Sequence, residues 1–179
     1  MKKLIPLLIP VAAAALLAAC QSTSSPKPDE AARATAALQP TKGSKAFGEA
    51  TFEQVGDKVR LIVFAQNLPP EREIGFHIHE AGDCSSGDGM SAKGHFNPHG
   101  KPHGRAGTPE RHAGDLPSIK AAKNGRAKLD VALDGISIVS GPGNIIGRGL
   151  IIHADPDDYK TQPTGNAGAR IACGVIKAG

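Results

Sequence analysis

The sequence predicts an all-β fold, an antiparallel sandwich or barrel with long loops, and three observations support it. Short runs rich in Val, Ile and Phe alternate with long stretches dense in Gly, Pro, Asn and Asp. Those stretches show no helical periodicity. Aromatic residues are only 3% of the chain and Trp is absent, so the core has to be aliphatic. In order, residues 47–54 and 58–67 flank a Gly56-Asp57 turn and read as a hairpin. Residues 74–80 form a third candidate strand, 127–133 a fourth, 149–153 a fifth and 170–176 a sixth. Short strands joined by such loops suggest a sandwich or barrel, and loops this long are unusual unless they are disordered or functional. There is no internal repeat.

The first 19 residues stand outside that fold. Met1-Lys2-Lys3 is a short cationic start, and residues 4–19 are apolar or Pro throughout. About 16 residues interrupted by Pro6 and Pro10 are too short and too broken for a good membrane-spanning helix, and the segment reads as a secretory signal. Its end, Leu17-Ala18-Ala19-Cys20, resembles a bacterial lipobox, in which cleavage precedes a cysteine that becomes lipidated. The other reading is ordinary signal cleavage, with Cys20 lost or left free. Three cysteines in an exported chain leave an odd one over. If Cys20 carries lipid, Cys84 and Cys173 remain as one pair, which an oxidising compartment would let bond. A lipid at Cys20 would anchor the chain to a membrane of the periplasm or cell envelope. Gln21 and Ser22 follow Cys20 with no Asp sorting signal, which points to the outer membrane.

Residues 20–45 form the lipidated N-terminus and a flexible tether, because from Gln21 onward they are Ser, Thr, Ala, Pro and Lys with little bulky apolar content. Within them 31–38 is a short helix at most. The folded domain is then expected over 46–179, the right size for one core. Without Lys2 and Lys3, 19 of the 21 Lys and Arg face 17 acidic residues, a formal charge of about +2. That balance, with no basic run and no aromatic ladder, gives no ground for a nucleic-acid partner.

Histidine carries the functional signal. A single histidine is ordinarily a surface or satisfied core residue, but six of the seven here are framed by Gly, Asp and Pro at spacings that can build two adjacent metal sites. His77 and His79 stand two apart in a candidate strand, so both imidazoles project to one face while Phe76, Ile78 and Glu80 face the other way. His153 lies in an apolar strand far along the chain and can join them only through tertiary pairing. His95, His103, His112 and Asp115 fall in the long loop, with His112 and Asp115 three apart. Three imidazoles and a carboxylate suit tetrahedral zinc, and imidazole suits copper as well.

Longer motifs surround these residues in a set order. They are GFHIHE at 75–80, GDCSS at 82–86, GHFNP at 94–98, RHAGDLP at 111–117, GR at 147–148, IIHADPDD at 151–158 and GNAGARIACGVI at 165–176. Over about residues 47–176 the chain resembles copper,zinc superoxide dismutases of the exported bacterial type. The resemblance implies a Greek-key β-barrel, a flattened antiparallel sandwich closed on itself. It implies His77, His79, His95 and His153 as copper ligands, with His95 bridging to a zinc held also by His103, His112 and Asp115. Asp157 matches the carboxylate that links a copper-ligand histidine to a zinc-ligand histidine, and Arg170 the arginine that attracts and orients superoxide beside copper. Cys84 and Cys173 match the family disulfide.

His99 and His103 are both followed by Gly, and the family's spacing of eight from His95 selects His103, leaving His99 as a solvated loop residue. Only thirteen positions separate Asp157 from Arg170, where eukaryotic relatives carry a longer charged segment; Lys93, Lys101 or Lys160 could supply positive potential instead. The implied reaction is dismutation of superoxide to oxygen and hydrogen peroxide by redox cycling of one copper beside one structural zinc per subunit. His95 and Arg170 are then its catalytic residues, His95 taking up and returning a proton. A non-catalytic envelope copper/zinc carrier would explain the imidazoles but leave Arg170 and Asp157 without a role. A lipoprotein that kept zinc alone for stability would leave His77, His79 and His153 without one. Monomer and homodimer both remain open.

Overall fold

A computed structural model describes residues 32–179, and among these described residues there are ten strands and no α-helix; Met90–Ala92 makes a single 3-10 turn. The strands are β1 Arg33–Pro40, β2 Phe47–Val55, β3 Lys58–Gln66, β4 Glu73–Ile74, β5 Phe76–His79, β6 Ile119–Lys120, β7 Ala127–Leu133, β8 Gly149–His153, β9 Arg170–Val175 and β10 Lys177–Ala178. An eight-stranded sheet runs in the order β5-β8-β9-β1-β2-β3-β7, with β10 on β1, and β4 and β6 make a separate ribbon. Every strand pairing is antiparallel. The chain crosses from β7, at one end of the sheet, to β8, next to the other end, the long return expected of a Greek key. All six strands expected from the sequence are present. The third is divided at Gly75, whose N–H donates to the Asp155 carbonyl.

The sheet curls into a half-barrel around one aliphatic core. Alternate residues point inward: Ala34, Ala36 and Leu38 from β1, Ala50 and Phe52 from β2, and Val59, Leu61, Val63 and Ala65 from β3. Phe76 and Ile78 of β5 and Leu150 and Ile152 of β8 complete it, with Ile119 of β6 and the loop residues Leu116 and Ile145 closing it. On the outer face Arg33, Glu53, Arg60 and Asp130 form a chain of ion pairs (2.6, 3.7 and 2.8 Å) across β1, β2, β3 and β7. Opposite charges on facing strands favour this register over its slipped alternatives, though each exposed pair is worth only ~0–1 kcal/mol.

β1 overturns the expected limits of the domain. The tether assigned through residue 45, and the short helix at 31–38, are replaced by a strand in the middle of the sheet. It pairs with β2 on one side and with β9 and β10 on the other. The folded domain therefore begins near residue 33, not 46. Alanine is depleted in strands, so composition concealed an alternation whose inward positions are Ala34, Ala36 and Leu38. Small side chains suit the place because the backbones run close. A Cβ on Gly174 of β9 would come within 2.6 Å of the Ala37 carbonyl oxygen. The secretory leader, Cys20 and the start of the tether lie outside the described residues. No helix among the described residues is long and apolar enough to cross a membrane.

Cys84 and Cys173 form a disulfide with Cα atoms 5.8 Å apart, tying the loop after β5 to β9 across 89 positions. In the chain-entropy model a closed loop of that length stabilises the fold by about 4.6 kcal/mol.

A chain beginning at Lys45 should fail to melt cooperatively by circular dichroism, whereas one beginning at Ala31 should melt like the longer protein. In the intact chain Leu38→Ala should cost about 2–5 kcal/mol in urea unfolding. A cooperative melt of the Lys45 form at the parental temperature would show β1 to be dispensable.

Candidate metal centre

β5 is buried on both faces. Phe76 and Ile78 enter the aliphatic core, while His77 and His79, each 0% exposed, face the loops. The strand ends the hydrogen-bonded sheet, and its free edge is covered by the long loop. The Ile78 N–H donates to the Gly114 carbonyl at 2.9 Å, and the Ile78 carbonyl accepts from Phe96 N–H at 2.8 Å. Isolated bridges pair His77 with Asp115 and His79 with His95. An open strand edge needs such partners, and here they are the segments that carry His95 and Asp115. A Cβ on Gly114 would overlap the Ile78 carbonyl oxygen, so a larger residue would push this segment off the strand. On the other side of β5, the β8–β9 register slips between Ile152 and His153. Such irregularities re-aim a side chain, here placing His153 beside His77 and His79.

Two donor sets result. His77, His79, His95 and His153 bring one nitrogen each within 4.8 Å of one another, as do His95, His103, His112 and Asp115 with three nitrogens and an oxygen. All seven residues are buried, and His95 belongs to both sets. His99 is exposed and stands outside both.

The tautomers follow from the groups around each ring. The Nδ1 of His79 meets the Lys93 carbonyl at 2.9 Å and that of His153 the Gly168 carbonyl at 3.2 Å. A carbonyl only accepts, so both Nδ1 atoms carry hydrogen and both Nε2 atoms hold lone pairs. Those two Nε2 atoms face each other at 3.4 Å with no hydrogen between them. Asp157 accepts from His77 Nε2 at 2.7 Å and from His103 Nε2 at 2.9 Å, leaving both Nδ1 atoms as donors of electron pairs. His77 Nδ1 and His95 Nε2 are fully buried without any hydrogen-bond partner. Orphaned buried polar atoms cost about 1–3 kcal/mol each, and a cation among these four nitrogens satisfies them together.

The second set is organised around one carboxylate. Asp115 Oδ2 accepts from the main-chain N–H of Gly104 at 3.0 Å and of His112 at 2.8 Å. Its Oδ1 then faces the Nδ1 atoms of His95, His103 and His112 at 2.8, 3.0 and 3.3 Å. Three imidazoles and a carboxylate oxygen converging in this way suit zinc.

Charge agrees with the geometry. Burial pushes His79 well below its ordinary value, His95 down to about 4 and His153 down to about 3, so all three are neutral, ligating imidazoles at neutral pH. Burial acts downward on His103 too, but hydrogen bonds to Asp115 and Asp157 outweigh it and bring it up to about 9, so without a metal its Nδ1 holds a proton toward Asp115 that a bound cation replaces. Burial works to raise the two aspartates, yet their histidine partners hold both well below the usual carboxylate range. A metal cation supplies the positive charge that this pair of buried carboxylates requires.

Arg170 stands at the opening. Its Nη1 donates to the Gly89 carbonyl and its Nη2 to the Lys93 carbonyl, both at 2.6 Å, and Thr41 Oγ1 donates to its main-chain oxygen at 2.7 Å. Lys93 adopts φ 63° and ψ −148°, a region that glycine favours, so its one carbonyl meets both Arg170 and His79. A hollow of about 420 Å³ is lined by His153, Arg170, Thr41, Lys42, Asp88 and Met90, among others. Lys93 contributes its main chain here, and Lys101 donates to the Pro109 carbonyl in the zinc-side loop. The cation in the hollow besides Arg170 is Lys42, which sequence reasoning had left in the tether.

A curled antiparallel β-sheet with two metal-donor sets at its covered edge, sharing one imidazole, defines a two-metal β-barrel protein. Residues 46–176 match the family described as copper/zinc superoxide dismutase (SODC), and the chain belongs to that family. It is 45% identical over 140 residues to Superoxide dismutase [Cu-Zn] 1 of Aquifex aeolicus (strain VF5), covering 76% of this chain and 82% of that one. It is 42% identical over 168 residues to Superoxide dismutase [Cu-Zn] of Paramecium bursaria Chlorella virus 1, covering 90% and 86%. The solved structure titled "Crystal Structure Analysis of the clock protein EA4" is similar with a TM-score of 0.75 and 42% identity, covering 83% of this chain and 96% of that one. Copper and zinc are the cofactors, and the two donor sets fit them.

Asp157→Ala should weaken zinc binding by roughly 10–100-fold, the usual cost of removing a group that orients a metal ligand. Copper should suffer less, because His79 and His153 keep their carbonyl partners. Competition with a chromophoric chelator measures both, and parental zinc affinity in this variant would mean that the carboxylate does not orient His103.

Proposed function

We infer that the protein dismutates superoxide to oxygen and hydrogen peroxide, with copper held by His77, His79, His95 and His153 and zinc by His95, His103, His112 and Asp115. The observation that carries this reading is His95, whose Nε2 is orphaned toward one set while its Nδ1 faces the other. Copper bound there supplies a one-electron couple, which zinc does not have.

The protein's own groups account for the remaining requirements. Arg170 is never neutral at working pH, and two main-chain carbonyls hold its guanidinium at the hollow beside His153. A fixed cation there attracts the superoxide anion and releases neutral hydrogen peroxide, so binding discriminates substrate from product by charge. His95 sits where a proton is wanted. Its Nε2 has no protein partner, so it is the atom at which the ring can take up a proton and return it. Burial of both donor sets keeps bulk water from competing at those atoms. A metal carrier has no use for an anchored Arg170 at the opening, which favours the enzyme.

The location proposed is the periplasm or cell envelope, with a lipid at Cys20 anchoring the protein to the outer membrane. The apolar leader and the Leu17-Ala18-Ala19-Cys20 sequence support it. A homodimer is compatible with this arrangement, since each chain carries both donor sets itself.

Purified protein should consume superoxide in proportion to its copper content; a copper- and zinc-loaded protein without that activity would leave the carrier reading. His153→Ala should lose copper and activity while keeping about one zinc per chain, and His112→Ala should lose zinc with copper partly retained. Equal loss of both metals in both variants would contradict separate sites. Arg170→Ala should lower the rate about tenfold or more, Arg170→Glu further, and Arg170→Lys least, with a shallower salt dependence in Arg170→Ala. An Arg170→Glu enzyme as fast as its parent would remove the residue from substrate guidance. Cys20→Ser should leave the membrane fraction with unchanged turnover, and its retention there would sink the lipid anchor.

A further inference from the structure

The segment from Asp157 to Arg170, thirteen positions in length, grips the zinc-side loop at three points. Asp157 holds the rings of His77 and His103. Tyr159 Oη lies 2.7 Å from Ser118 Oγ, with the Arg105 guanidinium 4.0 Å from the centre of its ring. The third grip is on the main chain of a donor residue itself. Gln162 Oε1 accepts from the His103 N–H at 2.8 Å, and Gln162 Nε2 donates to the His103 carbonyl at 2.9 Å.

A carboxamide bonded to both polar groups of one residue reproduces the two-bond pairing of neighbouring antiparallel strands. His103 lies in a stretch that has no strand of its own. We propose that Gln162 is a positioning residue for zinc, holding the backbone of His103 while Asp157 holds its ring, so that Nδ1 points at Asp115 Oδ1. Neither group alone suffices for that aim. A hydrogen bond at Nε2 sets the rotation of the ring, whereas the pairing with Gln162 sets where the ring begins. Gly165, in the same segment, lies against this arrangement closely enough that a Cβ there would overlap both Asp157 Oδ1 and His103 Nε2. Gln162 makes no hydrogen bond to His77, His79, His95 or His153, nor to Arg170, so its effect should fall on one metal only. Ordering a loop before the ion arrives spares the ion that entropy cost and shows as tighter binding. The proposal rests on the assignment of His103 to zinc made above.

The test uses the full mature chain, stripped of metal and titrated separately with zinc and with copper against a chromophoric chelator. Gln162→Ala should raise the zinc dissociation constant roughly 10–100-fold while copper stays within about twofold of the parent. Gln162→Glu, which keeps the acceptor for the N–H but turns a carboxylate oxygen toward the carbonyl, should weaken zinc by a similar factor. Unchanged zinc affinity, or equal weakening of zinc and copper, would overturn the role of Gln162. His112→Ala is titrated in parallel. Parental zinc affinity in that variant would overturn the zinc set itself, whereas zinc lost there but kept in Gln162→Ala overturns only the positioning role.

Discussion

A buried imidazole must find a partner at each ring nitrogen, and the metal centre is organised around how that demand is met. In His79 and His153 a main-chain carbonyl takes the Nδ1 hydrogen; in His77 and His103 one carboxylate takes the Nε2 hydrogens. Each of these rings is left with a single lone pair and one direction in which to present it. His95 differs, because its Nδ1 faces Asp115 and the His112 ring while its Nε2 has no hydrogen-bond partner. A ring with one nitrogen in each of two donor sets is placed to act as a bridge. The remaining architecture, from the edge pairing of β5 to the slip in β8, serves to bring these rings to one place.

The second constraint is that polar groups of this density disrupt a core unless they are segregated from it. β5 performs the segregation by alternation, with Phe76 and Ile78 on one face and His77 and His79 on the other. The aliphatic core is therefore continuous across the sheet, and the donor sets lie outside it under loops. Those loops have little apolar surface of their own. The Cys84–Cys173 disulfide, the bridges to β5 and the contacts of Gln162 and Tyr159 provide the order that hydrophobic burial provides elsewhere.

Much of this was legible in the sequence, for identifiable reasons. The strands rich in Val, Ile and Phe show period-two patterns of bulky residues, and His77 and His79 inherit a shared face from the same periodicity. β1 has the same period written in alanine, which composition reads as tether or helix. Its alternating Ala34, Ala36 and Leu38 were the available signal. β6 and β10 are two residues each and leave no pattern to find. Lys42 was hidden by the misplacement of β1, since a residue assigned to a tether has no place beside an active site. Gln162 meets His103 across 59 positions through side-chain and backbone atoms, a relation that no local spacing encodes.

One carbonyl oxygen has a wider meaning than its size suggests. The Lys93 oxygen receives both the Nδ1 hydrogen of His79 and an Nη2 hydrogen of Arg170. It thereby joins a ring of the four-histidine donor set to the guanidinium at the opening. Electron transfer and anion capture are separate physical processes, governed by ligand geometry and by electrostatic potential, yet they share this mechanical reference point. A displacement of the turn at Met90–Ala92 cannot disturb one while sparing the other. A substitution that shifts this oxygen should therefore move the His79 ring and the Arg170 guanidinium together.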